Sequence, residues 1–261
     1  MTASAQGPTR WRRFVAERMD PKAYLGLHVT VGLAVVALGL WLFGALLDAV
    51  LDNAMMVRWD VAADAWVHAR ATPAGLRAFD VVTQLGSPAA MAALGAAGAL
   101  VLWRARRHTT LIAWLAAFGG GAAVDWVLKS VVHRARPTYG NVYLHGHSYS
   151  FPSGHAMGSA IGYAMLVYVA GLYWHPANRA WRTLGVVAAA AIVVAVGLSR
   201  VYLGVHYPSD VIGGWAAAAA WLSVCLTGMS IAQGRSRLVA RGPLPSADAG
   251  AEGRGEPTAE R

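Results

Sequence analysis

Three short polar stretches contain the side chains best suited to chemistry in this otherwise apolar sequence. They are residues 129–137 (KSVVHRARP), 152–155 (PSGH) and 199–210 (SRVYLGVHYPSD). Each lies at the end of a long apolar run, where charged groups are costly for a membrane protein and are usually functional. Together they supply cations that can bind phosphate, histidines that can act as nucleophile or general acid, and a carboxylate that can orient one of them. These residue types predict phosphoryl transfer.

The first stretch places two cations where they can bind one anion. Lys129 and Arg136 are seven residues apart, about two helical turns, so they share a face if the helix continues until Pro137 ends it. Arg136 can bind phosphate oxygens bidentately, and Lys129 adds a point charge. Asp125, one turn earlier, is predicted to be a local partner of Lys129 and not a catalytic acid. The alternative is a pair of cations snorkelling at a helix end.

The second stretch is typical of a helix start. Ser153 suits the N-cap position, and Gly154 lets a ligand approach the free N–H groups at the positive end of the helix dipole. His155 has an unperturbed pKa near neutrality, which suits proton donation to a leaving oxygen. Taken alone, these residues favour a simpler interpretation, a capped helix with a polar interfacial histidine.

The third stretch is the strongest element, and it contains Arg200, His206 and Asp210. Asp210 can accept a hydrogen bond from one ring nitrogen of His206 and leave the other free to attack phosphorus. The competing interpretation is a zinc site built on His-x-x-x-Asp. It is disfavoured because the neighbouring cations would repel a divalent metal and no carboxylate cluster is available for magnesium. We therefore expect no metal and no other cofactor.

The composition is that of a polytopic membrane protein. Of 261 residues, 56% are hydrophobic and only 13% are charged, against about 25% charged in soluble domains, and the mean hydropathy is +0.42. The single cysteine, Cys225, excludes an intramolecular disulfide and a cysteine metal site. The net charge of +9 does not predict a nucleic-acid partner, because the cations follow the membrane topology described next.

The apolar runs predict an all-α fold, a six-helix transmembrane bundle. A span takes about 17–25 residues, and the predicted spans are residues 24–47, 88–103, 111–128, 156–174, 184–198 and 211–231. Residues 1–23 form a basic cytoplasmic segment, residues 24–231 the six-span domain, and residues 232–261 a tail whose composition predicts disorder. The abundant Gly and Ala residues favour close helix packing.

Lys and Arg concentrate in four of the flanking segments, which places both termini in the cytoplasm. The three polar stretches then share the opposite, outer face. This rule disfavours cations on the outer side, yet four lie there: Lys129, Arg134, Arg136 and Arg200. An anionic substrate would explain their position. The first outer connection, residues 48–87, has Ala and Trp at helical spacing (Ala62, Ala65, Trp66 and Ala69). This spacing predicts one or two short amphipathic helices, more readily a lid over the bundle end than a wall of a substrate entrance.

At its three polar stretches the sequence resembles the type 2 phosphatidic acid phosphatase superfamily. The family pattern is Lys-x6-Arg-Pro, then Pro-Ser-Gly-His, then Ser-Arg-x5-His-x3-Asp, and every specified position is matched in order. The resemblance implies that His206 forms a phosphohistidine, that Asp210 orients it, and that His155 protonates the leaving alcohol and later activates water. It also implies metal-independent catalysis and a phosphate site made of five residues: Lys129, Arg136, Ser153, Gly154 and Arg200.

The resemblance implies a membrane lipid phosphatase that acts at the outer leaflet, in a bacterial inner membrane by composition. Among substrates, undecaprenyl pyrophosphate is favoured, with phosphatidylglycerophosphate and phosphatidic acid as alternatives, because the motifs recognise only the phosphate. Phosphotransfer to a lipid or sugar hydroxyl is the second hypothesis. A non-enzymatic lipid-binding scaffold is disfavoured because the expected catalytic residues are present. A vanadate-dependent haloperoxidase is disfavoured because that related class is soluble.

Overall fold

The computed structural model describes residues 24–52, 54–139, 149–173 and 179–240, and the regular secondary structure of these residues is helical, with no strand among them. The helices are α1 Tyr24–Asp52, α2 Ala54–His68, α3 Pro73–Gln84, α4 Pro88–Arg104, α5 His108–Leu115, α6 Gly121–Val132, α7 Gly154–Tyr173, α8 Arg179–Tyr202 and α9 Pro208–Ala240. A single π-helical turn, Ala116–Gly120, joins α5 to α6. The predicted all-α class is confirmed.

Six helical segments of the described chain are long and apolar enough to cross a membrane, as predicted. They are Val29–Asp52, Pro73–Arg104, His108–Val132, Gly154–Tyr173, Ala180–Tyr202 and Pro208–Gln233. The second differs most from the prediction, because α3 and α4 together form one 32-residue segment. Proline begins each of these two helices, and Thr72 and Ser87 cap them by accepting hydrogen bonds from Gly75 N and Ala90 N.

The helix of the sixth span, α9, also extends beyond the predicted bounds of that span. α9 continues to Ala240, whereas the sequence predicted a span that ends at residue 231 and a tail that begins at residue 232. Helical hydrogen bonding continues past the apolar stretch because the residues that follow, such as Arg237 and Leu238, do not break a helix. The basic segment at residues 1–23 and the remaining tail at residues 241–261 lie outside the described residues.

Small residues allow the helices to approach closely, as the composition predicted. A Cβ on Gly39 of α1 would lie 3.1 Å from the backbone of Ala216 and Ala220 on α9. Near the π-helical turn, the Trp221 ring packs where a Cβ on Gly120 would lie, and its Nε1 donates to the Ala116 carbonyl at 3.2 Å. The π-helical turn exposes carbonyl groups that a regular helix would use internally, and the indole N–H of α9 satisfies one.

The predicted first connection, residues 48–87, is helical, because it contains α2 and also α3, which extends the second span beyond its predicted start. The orientation of α2 was not anticipated, because its tryptophans point outwards and its acids point inwards. Trp59 and Trp66 are 70% and 60% exposed, whereas Asp60 and Asp64 are 2% and 4% exposed. Outward tryptophans suit a membrane interface. Because its buried side chains are the two acids, α2 packs on the rest of the protein through carboxylates and not through an apolar stripe.

Candidate active site

The three polar stretches meet at one end of the bundle. The first follows α6, the second begins α7, and the third joins α8 to α9. Ser153 N donates to the Asp210 carbonyl at 2.9 Å, and Arg136 Nη1 donates to the Val205 carbonyl at 2.8 Å. These contacts link the second and first stretches to the third.

The path between Lys129 and Arg136 differs from the sequence prediction. α6 ends at Val132, and His133 adopts the left-handed conformation with φ 52°. Lys129 and Arg136 therefore do not share a continuous helix face. The segment after His133 is irregular, and the Arg134 carbonyl accepts from Ser150 N at 2.8 Å. Chain reversal, and not helical periodicity, brings the two cations to one site.

His206 and Asp210 form a buried pair. Their side chains are 2% and 0% exposed, and His206 Nδ1 lies 3.5 Å from Asp210 Oδ2. Ser150 Oγ lies between them, since it donates to Asp210 Oδ2 and is 3.5 Å from His206 Nδ1. Asp210 Oδ2 also accepts from Tyr207 N at 2.8 Å. That bond is half of a capping box, with Tyr207 as N-cap and Asp210 at the third helical position of α9.

The other ring nitrogen of His206, Nε2, faces the guanidinium of Arg136. Arg136 Nη1 lies 3.0 Å from His206 Nε2. Because an arginine can only donate, Nε2 is the acceptor and Nδ1 carries the proton towards Asp210. The Nε2 lone pair therefore faces the Arg136 guanidinium, a group that can also bind phosphate.

Burial keeps the His206 imidazole neutral. Its pKa is lowered to about 3, first by burial and further by Arg136 and Arg200, while Asp210 acts in the opposite direction. Burial also lowers the pKa of Arg136, which the carboxylates of Asp210 and Asp125 partly offset. A neutral imidazole among cations is a competent nucleophile and does not repel them.

The other predicted cations lie around this pair. Lys129 forms a salt bridge with Asp125, its predicted partner one turn earlier. Arg200 is 6% exposed, and its Nη1 donates to Thr83 Oγ1 on α3 at 2.8 Å. Arg200 Nε is buried and has no hydrogen-bond partner. A bound phosphate oxygen would satisfy such an unpaired donor.

The start of α7 completes the cluster. Helix α7 begins at Gly154, so Ser153 occupies the predicted N-cap position. Its Oγ, however, is buried without a hydrogen-bond partner and does not cap the helix. A Cβ on Gly154 would lie 2.9 Å from Asp125 Oδ2 and 3.1 Å from Lys129 Nζ. His155 lies close enough to His206 and to three cations for their charges to act on its imidazole; the cations are Lys129, Arg136 and Arg200.

A second set of polar residues lies behind Asp210, and sequence reasoning did not assign it. Arg134 Nη1 donates to Asp210 Oδ1, and Arg134 Nη2 donates to Asp60 Oδ2 at 2.7 Å. Ser209 Oγ accepts from Arg134 at 2.8 Å and donates to Asp60. The sequence treated Arg134 only as a misplaced cation. An available signal was the spacing of Asp60 and Asp64, which places two acids on one face of a mostly apolar helix.

No group of three or more His, Cys, Asp or Glu side chains in the described ranges is arranged to hold a metal ion. Asp210 is instead engaged by Arg134, Ser150 and the backbone of Tyr207. His145 and His147 follow the first polar stretch in the sequence and lie outside the described residues.

Comparison with known proteins agrees with the motif resemblance. Residues 110–233 match the model of the PAP2 superfamily. The chain is 40% identical over 102 residues to phosphatidylglycerophosphatase B of Bacillus subtilis, covering 39% of this chain and 49% of that protein. It is 37% identical over 129 residues to decaprenylphosphoryl-5-phosphoribose phosphatase of Mycolicibacterium smegmatis, covering 47% of this chain and 61% of that protein.

The fold is also found in a crystal structure, that of a transmembrane PAP2-type phosphatidylglycerolphosphate phosphatase from Bacillus subtilis. The two structures superpose with a TM-score of 0.67 at 26% identity, covering 80% of this chain and 98% of the other. The sequence matches span about half to three fifths of the curated relatives' length. The predicted resemblance to the family and the membrane bundle are confirmed.

Proposed function

We propose that this integral membrane protein, which carries PAP2 superfamily sequence over residues 110–233, is a lipid phosphatase that works through a phosphohistidine. One observation carries the proposal. The neutral His206 directs its Nε2 towards Arg136 Nη1 at 3.0 Å, while its other nitrogen faces a buried carboxylate. This arrangement fits attack by nitrogen on a phosphate held by cations.

The proposed first step forms a bond between His206 Nε2 and phosphorus and breaks the bond from phosphorus to the leaving oxygen. His155 takes up a proton when the phosphate anion binds, and it then gives this proton to that oxygen, which leaves as the lipid alcohol. Lys129, Arg136 and Arg200 neutralise the charge on the phosphate oxygens, and Ser153 Oγ and the Gly154 amide donate to them. Asp210 stabilises the positive charge that develops on the imidazole of His206.

The proposed second step transfers the phosphoryl group to water. His155, now neutral, takes a proton from the water as its oxygen attacks phosphorus, and the bond to His206 Nε2 breaks. Inorganic phosphate leaves, and both histidines return to their starting states. No step requires a metal ion, an oxidant or a reductant.

The apolar surface beside the site favours a lipid substrate over a soluble ester. A groove of about 280 Å³ runs between α1, α6 and α9, lined by Val36, Leu40, Phe43, Val124, Leu128, Ala217, Ala220, Trp221 and Val224. Leu128 directly precedes Lys129 in the sequence. A hydrocarbon chain in this groove would keep its phosphate close to the level of Lys129.

The similar proteins suggest which lipid phosphate is hydrolysed. The names of the two curated relatives describe action on a phosphatidylglycerophosphate and on a decaprenylphosphoryl-5-phosphoribose. The chain is also 41% identical over 75 residues to undecaprenyl-diphosphatase of Sulfolobus acidocaldarius, which supports the undecaprenyl pyrophosphate that the sequence analysis favoured. We place lipid phosphomonoesters first because their relatives match over more residues, 102 and 129, and undecaprenyl pyrophosphate second. The charge distribution of the flanks supports an outward-facing site with both termini in the cytoplasm.

The decisive experiment measures phosphate release by the purified protein from defined lipids, without an added acceptor. The panel comprises phosphatidylglycerophosphate, phosphatidic acid, a polyprenyl-phosphoryl-phosphoribose and undecaprenyl pyrophosphate. We expect turnover of at least one phosphomonoester, and none by His206→Ala. Activity in His206→Ala would refute the nucleophile, and turnover of only the pyrophosphate would reverse the substrate order. Phosphate release that requires an alcohol acceptor would identify a phosphotransferase.

A further inference from the structure

We propose that Asp60, on helix α2 in the first connection, is a positioning residue for catalysis: through Arg134 it fixes the Asp210 carboxylate against His206. The inference rests on the proposed function, because it assigns a role in the same reaction. It also gives α2 a role other than that of a lid.

Asp60 is placed to act on α9 directly. It is 2% exposed, its Oδ1 accepts from Ser209 N at 3.1 Å, and its Oδ2 accepts from Ser209 Oγ. Ser209 is the second residue of α9, and the N–H groups of a first helical turn have no partner within the helix. Asp60 therefore caps α9 from another helix, one residue before Asp210.

Asp60 also acts on Asp210 through a shared guanidinium. The two planar edges of Arg134 serve different carboxylates, because Nη2 donates to Asp60 and Nη1 to Asp210. Burial acts to lower the pKa of Arg134, but Asp210 and Asp60 outweigh it and raise the pKa. Arg134 also lies over the Tyr207 ring, 4.4 Å from its centroid. Its position is therefore fixed on three sides.

The charge balance explains why two acids are needed. Asp210 must remain an acceptor for His206, yet a buried arginine paired with Asp210 alone would compete for that carboxylate. Asp60 takes half of the Arg134 fork and supplies the second negative charge. Buried ion pairs of this kind are stabilising only when every partner is present.

The test uses Asp60→Asn in the full-length protein. An asparagine keeps one acceptor oxygen, so either Arg134 or Ser209 N loses its partner. We expect kcat to fall at least about tenfold, since a misplacement near 1 Å can cost about a hundredfold. We expect KM and inhibition by inorganic phosphate to stay within about twofold, because the phosphate-binding cations are untouched.

The matched control is Asp64→Asn. Asp64 lies one turn further along α2 and is 4% exposed, but its Oδ1 has no hydrogen-bond partner. We expect Asp64→Asn to retain kcat within about twofold. Equal losses in both variants would overturn the proposal, since they would indicate a general effect of neutralising α2.

A double-mutant cycle tests whether Asp60 acts through Arg134. We expect the double variant Asp60→Asn, Arg134→Gln to be no slower than Arg134→Gln alone, because the same link is already broken. Multiplicative losses would overturn the proposal, as would a loss in Asp60→Asn confined to KM or to the amount of folded protein.

Three further outcomes keep the test decisive. If Asp60→Asn does not fold, Arg134→Lys replaces it, since lysine keeps the charge but cannot span both carboxylates; wild-type kcat in Arg134→Lys would then overturn the proposal. If the wild-type protein releases phosphate from no lipid, the proposed function fails. If the wild type is active and Asp60→Asn equals it, only the present inference fails.

Discussion

Gly154→Ala should separate activity from stability. The added methyl group would lie 2.9 Å from Asp125 Oδ2 and 3.1 Å from Lys129 Nζ, where ordinary carbon contacts are about 3.5–4.0 Å. The Asp125–Lys129 pair must then move away from the start of α7 by several tenths of an ångström. Both atoms are side-chain ends that can move, so the fold should tolerate the change and the proposed phosphate site should not.

The size of the effect follows from the contact that is lost. A hydrogen bond to a charged group contributes about 1.5–3 kcal/mol, and about 1.4 kcal/mol corresponds to a tenfold change. Moving the Lys129 charge away from a bound phosphate should therefore lower kcat/KM about 10-fold to 150-fold. Stability should stay level or rise slightly, because alanine is favoured over glycine in helices by up to about 1 kcal/mol.

Gly158→Ala provides the control, one turn further along α7. Its added Cβ would meet only Met91 Cγ at 3.5 Å, which is an ordinary contact. The assay is kcat/KM for phosphate release in detergent, together with the thermal midpoint of each protein. Wild-type activity in Gly154→Ala would refute the reasoning, as would an equal loss in Gly158→Ala or a loss of activity that only follows a loss of stability.

Three further predictions concern the metal, the histidine and the topology. EDTA should leave turnover unchanged, and activity that is lost with EDTA and restored by zinc or magnesium would support a metal centre. The folded protein keeps His206 neutral down to a pKa of about 3, whereas an unfolded histidine titrates near 6.5. The unfolded chain therefore binds more protons between these pH values, so stability should fall as pH drops from 7 to 4. His206→Asn should lessen this fall, and identical pH slopes in both proteins would contradict the assignment. In a Cys225→Ala background, an impermeant maleimide should label Tyr139→Cys in intact cells but not Ala105→Cys, at the other end of the bundle; the reverse pattern would show an inward-facing site.

Much of the proposed site could be predicted because its information is local. His206 and Asp210 are four residues apart on either side of a helix start, so their proximity follows from chain geometry alone. The pairing of Lys129 with Asp125 follows from the same spacing. The approach of Arg136 to His206 followed from topology, because apolar runs of spanning length force the three stretches to one end.

The support behind Asp210 could not be predicted. Asp60 and Arg134 are 74 residues apart, and no local pattern links them. Hydrophobic periodicity predicted an amphipathic helix in this connection, but it did not show which face of α2 is buried. At a membrane surface the outward face can be apolar too, so a pattern such as Trp59 and Trp66 does not reveal which side of the helix is buried.

The sequence by itself determined that this is a membrane protein, the number of spans and the residues of the proposed phosphoryl-transfer site, because these depend on composition and on short fixed spacings. Only the tertiary structure decided how Asp210 is held, since that depends on α2 packing its acids inwards against Arg134 and Ser209. It also decided how Arg136 reaches His206, since α6 ends at Val132 and the chain turns at His133. Long-range packing selects one of several arrangements that the local pattern permits, and burial then requires every polar partner to be satisfied.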